Sequence, residues 1–237
     1  KNKSGLTFFA NTYKSEGYDL IESDSLKTVE PFRNFTLNSK IKHDFSKKKS
    51  VLFSLRYFNQ KQNNVGSENL TGESIIDEWN GLIKFDIKFN KKLESYLELY
   101  TTQYSSKEYL SYNDGGPFSS SSYKQFFSRP ELRTTYSKNN LTLTGGVGIN
   151  LEKIERTNFY GIPEFSSPYV YLQYDDYILE STNIIIGARY DNHSQYKSQF
   201  SPKAAVIFNF DDKISVKGSI GYGFKAPEFR QLYFNFT

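Results

Sequence analysis

Residues 183–191 run Asn183-Ile184-Ile185-Ile186-Gly187-Ala188-Arg189-Tyr190-Asp191, and their alternation decides the fold. In an extended chain successive side chains point to opposite faces. One face therefore carries Ile184, Ile186, Ala188 and Tyr190, and the other Ile185, Gly187, Arg189 and Asp191. The first face suits an apolar surround; the second, with a guanidinium and a carboxylate, does not. The same period of two recurs outward from this stretch. Phe200, Pro202, Ala204, Val206, Phe208 and Phe210 alternate with more polar partners, as do Ile214, Val216, Gly218, Ile220, Tyr222 and Phe224. Earlier matches are Leu141 to Leu151, Val51 to Tyr57 and Ile83 to Phe89, and no segment fits a helical period better.

Composition narrows the surround. Mean hydropathy is -0.62, and the 37% hydrophobic content is weighted toward rings, with 19 Tyr and 21 Phe, a poor supply for a helical or α/β core. No run of about 18 apolar residues exists, which excludes a spanning helix but not a membrane barrel built of short alternating strands. The absence of Cys removes disulfides, thiol nucleophiles and cysteine metal clusters. Thirty basic and 26 acidic residues are scattered along the chain, so no nucleic-acid stripe is expected. The chain contains no Met and begins Lys1-Asn2-Lys3, and is read as an internal segment of a longer protein.

Connections supply the topology. Short polar turns at 46–50, 90–92, 137–140, 180–182 and 211–213 alternate with less patterned segments at 14–33, 65–77, 113–124, 156–166 and 192–199, read as longer loops. A meander places all short turns at one end and all long loops at the other, the asymmetry of an outer-membrane barrel. The expectation is an all-β, antiparallel up-and-down transmembrane β-barrel. About eleven strands are present, with 1–237 forming one partial barrel domain.

Three elements near the end of the chain add specificity. Gly187, Arg189, Tyr190 and Asp191 are followed by Ser201-Pro202-Lys203, then by Gly223-Phe224-Lys225-Ala226-Pro227 with Leu232-Tyr233 beyond. In order and spacing they resemble the C-terminal barrel signature of TonB-dependent outer-membrane receptors. That resemblance implies a 22-stranded barrel in the outer membrane of a Gram-negative bacterium, of which this chain holds half. It further implies an N-terminal plug domain and a TonB complex as partners, reached through a region outside this chain. The implied activity is energised uptake of a siderophore, haem, cobalamin or similar large ligand; the alternative is a passive porin or barrel anchor without a plug. Haem receptors of the family carry a box similar to Phe224-Lys225-Ala226-Pro227.

Other candidates are few. Tyr109, Tyr112, Phe118 and Tyr123 surround a flexible Asn113-Asp114-Gly115-Gly116 turn and are candidate ligand contacts, as is His193 in a loop at the same end. Gly145-Gly146-Val147-Gly148 lies within an alternating strand, not in a loop opening a helix, which argues against a phosphate cradle. Asp175 and Asp176 are adjacent and point to opposite faces, unlike a paired acid and base. His43 and His193 lack metal-ligand spacing. No enzyme activity and no cofactor are expected.

Overall fold

A computed structural model describes residues 3–20, 27–67, 69–157, 161–211 and 213–225, except the side chains of 65–67. Eleven strands follow one another: β1 (Ser4–Ser15), β2 (Phe32–Ser46), β3 (Lys49–Ser67), β4 (Leu70–Lys88), β5 (Leu93–Tyr112), β6 (Pro117–Lys138), β7 (Leu141–Arg156), β8 (Glu164–Leu179), β9 (Thr182–His193), β10 (Lys197–Asn209) and β11 (Ser215–Gly221). They form one sheet in strict sequence order, every neighbouring pair antiparallel. The ends β1 and β11 do not pair with each other among the described residues, so the wall is open.

The turns at one end are built by local side-chain chemistry. Asn90 Oδ1 accepts the amides of Lys92 and Leu93 at 2.8 and 3.0 Å. Asp211 Oδ1 accepts those of Lys213 and Ile214 at 2.7 and 2.8 Å, and Ser46 Oγ accepts that of Lys48 at 3.1 Å. Asn139 supplies the positive φ (54°) that a tight hairpin needs.

At the other end the outcome differs from the sequence reading. Segments 65–77, 113–124 and 192–199 are not loops: β3 and β4 pair as far as Ser67 and Leu70, β5 and β6 as far as Ser111 and Pro117, and β9 and β10 as far as His193 and Lys197. Strands β3 to β6 contain 19, 19, 20 and 22 residues, where about 9–11 suffice to cross a bilayer. Their distal parts are mostly polar, so no hydrophobic alternation marks them. The asymmetry of the sheet lies in hairpin length more than in loop length.

Register carries the apolar face continuously across the wall. Ile186 faces Tyr174 on one side and Ala204 on the other, Ala204 faces Ile220, and Val147 lies between Leu132 and Val170. These side chains are bare: Leu172 is 60% exposed, Ile186 54% and Ile220 78%. A soluble domain does not leave so large an apolar face uncovered, whereas lipid covers it. Rings bound the band: Trp79 and Phe126 lie 6.5 Å apart toward the long-hairpin side, and Phe208 and Phe210 lie 4.7 Å apart toward the short turns, as interfacial girdles do.

The band also slides along the ladder. From Phe53 the pairing leads through Ile83 to Leu99; from Ile186 it leads through Tyr174, Leu143 and Tyr136 to Leu93, six residues away in β5. Both starting points are central in their apolar stretches, six strands apart, so level positions shift by about one residue per strand. With about 3.3 Å per residue and about 4.8 Å between strands, the strands tilt by roughly 35° from the membrane normal, the tilt of a closed barrel.

Replacing Ile186 or Val206 by Arg in the full-length protein should cost about 2–4 kcal/mol near the midplane. Arg at inward Ser219 should be much milder. Urea unfolding from phospholipid vesicles reads the difference, and equal costs would contradict the assigned faces.

Candidate functional site on the inward wall

The inward face is polar, and its densest part lies where β4 to β9 meet. In β6, Arg129, Glu131 and Arg133 alternate with outward Pro130 and Leu132, so three charges line one face at a spacing of two. Register sets Glu131 opposite Glu98 of β5 and Gly148 of β7, and Arg133 opposite Tyr96 and Gly146. Tyr169 and Tyr171 of β8 lie opposite those two glycines.

Glu131 is buried at 7% exposure, and its carboxylate is fully engaged. Tyr169 donates to Oε2 at 2.6 Å, Tyr171 to Oε1 at 3.0 Å, and the Arg133 guanidinium lies 3.0 Å from Oε1. Arg133 Nε also donates to the Tyr171 hydroxyl at 2.6 Å, so that oxygen accepts one proton and donates another. A buried charge needs such satisfaction, because removing one partner leaves an uncompensated ion. Around this centre Arg189 makes two bonds to Asp191, at 2.8 and 2.7 Å, and stacks 3.8 Å over the Tyr169 ring. Lys84 sits 4.3 Å over Tyr96 and 3.0 Å from Asp86. Arg129 reaches Glu98 at 3.4 Å, while its buried Nε has no hydrogen-bond partner among the described residues. A concavity of about 460 Å³ lined by Glu98, Arg129, Arg133, Arg189 and Lys203 opens on this wall.

The glycines of β7 make the arrangement possible. A Cβ on Gly146 would come 2.5 Å from the Tyr171 ring, and one on Gly148 would come 2.5 Å from the Tyr169 hydroxyl and 2.8 Å from the Pro130 carbonyl oxygen. Each ring therefore lies flat across a bare strand, covering backbone that a side chain would otherwise shield. Gly145-Gly146-Val147-Gly148 is a strand, as its alternation implied, and its glycines serve tyrosines.

The family-motif residues divide between faces. Gly187, Arg189, Asp191, Ser201 and Lys203 point inward, with Gly187 opposite Lys203 and Arg189 opposite Ser201. Tyr190 and Pro202 point outward, and the Tyr190 hydroxyl lies 2.7 Å from Ser198 Oγ. Gly223, Phe224 and Lys225 follow the end of β11, and Ala226, Pro227, Leu232 and Tyr233 lie outside the described residues. Of the aromatic candidates, Tyr112 and Phe118 meet edge to face at 5.3 Å beside the Gly115 turn, and Tyr109 is outward and exposed. Tyr123 lies lower, packed on the small inward cluster of Ile154 and Phe165. His193 joins that cluster, its ring 5.4 Å from Phe165 and 4.9 Å from Tyr196, and its Nδ1 accepts the Gln195 amide at 3.1 Å. Asp175 accepts from Asn183 and Asp176 from Tyr174, on opposite faces.

Glu131 and its tyrosines were not among the residues singled out from sequence. The charge alternation of Arg129, Glu131 and Arg133 was the available signal; the tyrosines, 38 and 40 residues distant, are brought there only by register. Gly148→Ala should destabilise the assembled full-length protein by about 1–3 kcal/mol, as overpacking does. Tyr169→Ala in the same protein should remove most of that extra cost, a coupling readable in a double-mutant cycle. Strict additivity would contradict the ring-over-glycine packing.

Comparison with known proteins fits this geometry. A family described as TonB dependent receptor-like, beta-barrel, matches residues 2–237. An iron-regulated outer membrane virulence protein of Vibrio cholerae is 36% identical over 55 residues, 23% of this chain and 8% of that protein. A probable TonB-dependent siderophore receptor, PirA of Acinetobacter baumannii, is 28% identical over 86 residues, 36% of this chain and 11% of that one. The crystal structure of the siderophore receptor PirA from Pseudomonas aeruginosa superposes with a TM-score of 0.70 at 17% identity, covering 97% of this chain and 38% of that one. The chain thus spans well under half the length of these proteins. Its eleven tilted strands, with one face for lipid and a charged, tyrosine-lined face within, belong to the outer-membrane β-barrel of the TonB-dependent receptor family.

Proposed function

We infer that the whole protein is an outer-membrane receptor that captures a ferric siderophore or a similar iron chelate and imports it with energy from the TonB complex. The observation that carries this reading is the inward wall. Its charges and hydroxyls, centred on Glu131, are spread over six strands and suit contact with a plug or a polar ligand. Likeness to proteins named as iron-regulated and siderophore receptors supports this ligand class. In a bilayer the unpaired edges of β1 and β11 need partner strands, so residues 1–237 serve as part of a larger closed barrel. A plug domain inside that barrel is the natural neighbour of the Arg129 Nε and of the inward motif residues Arg189, Asp191 and Lys203.

By the rule that short turns face the periplasm, the long hairpins project outside the cell. Tyr112 and Phe118, at the tip of the longest, are proposed first contacts for the ligand, and Tyr123 and His193 deeper ones on the way in.

Cells expressing the complete protein should accumulate a radiolabelled ferric siderophore, and a protonophore or loss of TonB should abolish it; uptake indifferent to both would leave a passive pore. Tyr112→Ala with Phe118→Ala should weaken capture by roughly threefold to tenfold, the worth of an aromatic contact, measured as equilibrium binding to whole cells. An epitope inserted after Gly115 should be labelled on intact cells, and access only from the periplasm would reverse the orientation.

A further inference from the structure

The inward wall carries a second cleft, nearer the long hairpins than the one around Glu131 and beyond the hydrocarbon. Ser106 lies seven residues past Leu99, which is level with the middle of the apolar band. At the strand tilt derived above this is about 19 Å from the midplane, against an apolar half-height of about 12 Å. The cleft encloses about 410 Å³, within the range of about 300–1,000 Å³ usual for small-ligand sites. Register builds it in two rows. Glu108 of β5 lies opposite Ser74 of β4 and Ser121 of β6; two residues lower, Ser106 lies opposite Tyr123, itself opposite Arg156 of β7. By alternation all six share the inward face of Glu98 and Glu131.

The polar groups of this cleft are unevenly used. Asn64 of β3 donates to Glu108 Oε1 and so orients the carboxylate, while no hydrogen bond reaches Oε2 among the described residues. Ser122 at the rim is spent on Thr157, whose Oγ1 lies 2.8 Å from its amide and 3.0 Å from its hydroxyl. The Tyr123 hydroxyl is spent on Gln125 at 2.9 Å. By contrast, the hydroxyls of Ser74, Ser106 and Ser121 make no hydrogen bond among the described residues. An ionised carboxylate only accepts, so a group that meets Glu108 Oε2 must donate, whereas a serine hydroxyl does both. The iron-bound oxygens of a chelate carry no proton to give. A ring bearing several adjacent hydroxyls meets both demands, and Tyr123 offers its C–H face a flat apolar patch.

We propose that this cleft binds a sugar ring, either a glycosyl group at the periphery of the chelate or one unit of a free oligosaccharide. Glu108 accepts from a ring hydroxyl, the three serines complete the polar contacts, and the ring lies against Tyr123. As a site for a glycosylated chelate it rests on the function proposed above, and it lies four residues below Tyr112, where that chelate is first met. As a site for free oligosaccharide it does not.

The test titrates the full-length receptor in detergent, by calorimetry, with three probes: a ferric tris-catecholate bearing glucosyl groups, the same chelate without them, and maltotriose. Wild type should bind the glucosylated chelate about tenfold tighter than the bare one, or bind maltotriose. S74A/S106A/S121A should erase that preference, or weaken maltotriose by at least about tenfold. Glu108→Gln keeps the bond from Asn64 but puts a donor where the open acceptor was, and should alone cost the sugar about threefold to tenfold. Ser219→Ala elsewhere on the inward wall should leave the preference at its wild-type value, and unchanged heat-modifiable migration shows that each variant is folded. A preference for the glucosylated chelate assigns the cleft to a glycosyl group; maltotriose binding without that preference assigns it to free glycan. Equal affinity for the two chelates with no binding of maltotriose overturns the site and leaves the chelate reading standing. Maltotriose bound and neither chelate bound overturns that reading and leaves the site, and no binding of any probe overturns both. Sugar binding that survives both S74A/S106A/S121A and Glu108→Gln lies elsewhere and overturns the proposal.

Discussion

Everything in this wall follows from the need to pair every backbone amide and carbonyl where no water can reach them. In hydrocarbon an unpaired peptide group costs several kcal/mol, so the chain must either form helices or join strand to strand without a gap. This sequence lacks the apolar runs a helix would need and pairs each strand with the next, from Ser4 to Gly221. The apolar payload per strand is small: Val51, Phe53, Leu55 and Tyr57 in β3, or Ile184, Ile186 and Ala188 in β9. It suffices because only one face meets lipid.

The other face is thereby freed for chemistry that hydrocarbon would forbid. Arg133, Glu131 and Tyr171 form a closed set in which each polar atom on the shared path has a partner, and Arg189 with Asp191 repeats the idea one strand further along. The glycines of β7 allow two tyrosine rings to lie over the strand and reach a carboxylate on β6. Packing and electrostatics are coupled here: the space left by two missing side chains is what allows Glu131 to be buried. The result is a polar, tyrosine-lined inward surface backed by a lipid-facing one.

Much of the fold could be read from residues alone, because period two along 183–191 and 200–210 states which side is wet, and Asn90, Asn139 and Asp211 announce their turns chemically. The distal hairpins could not. Residues 113–124, with Gly115, Gly116 and four consecutive serines from Ser119, show no apolar alternation, yet backbone pairing continues through most of them. The candidate site was legible in part. Arg189, Asp191 and Lys203 were placed inward by alternation and do face inward, whereas the union of Glu131 with Tyr169 and Tyr171 depends on register across two ladders, which no local pattern encodes. Tyr123 and His193, separated by 70 positions, meet round Phe165 for the same reason.

The central claim is that alternate residues of each strand face lipid and an enclosed interior. The most direct measurement is nitroxide scanning of residues 184–191, one cysteine at a time, in the full-length receptor in a bilayer. Collision rates with oxygen and with a polar nickel chelate are compared at each site. The account predicts oxygen maxima at 184, 186, 188 and 190 and protection from oxygen at 185, 187, 189 and 191. A profile without period two, or one in which the odd positions face lipid, would contradict it.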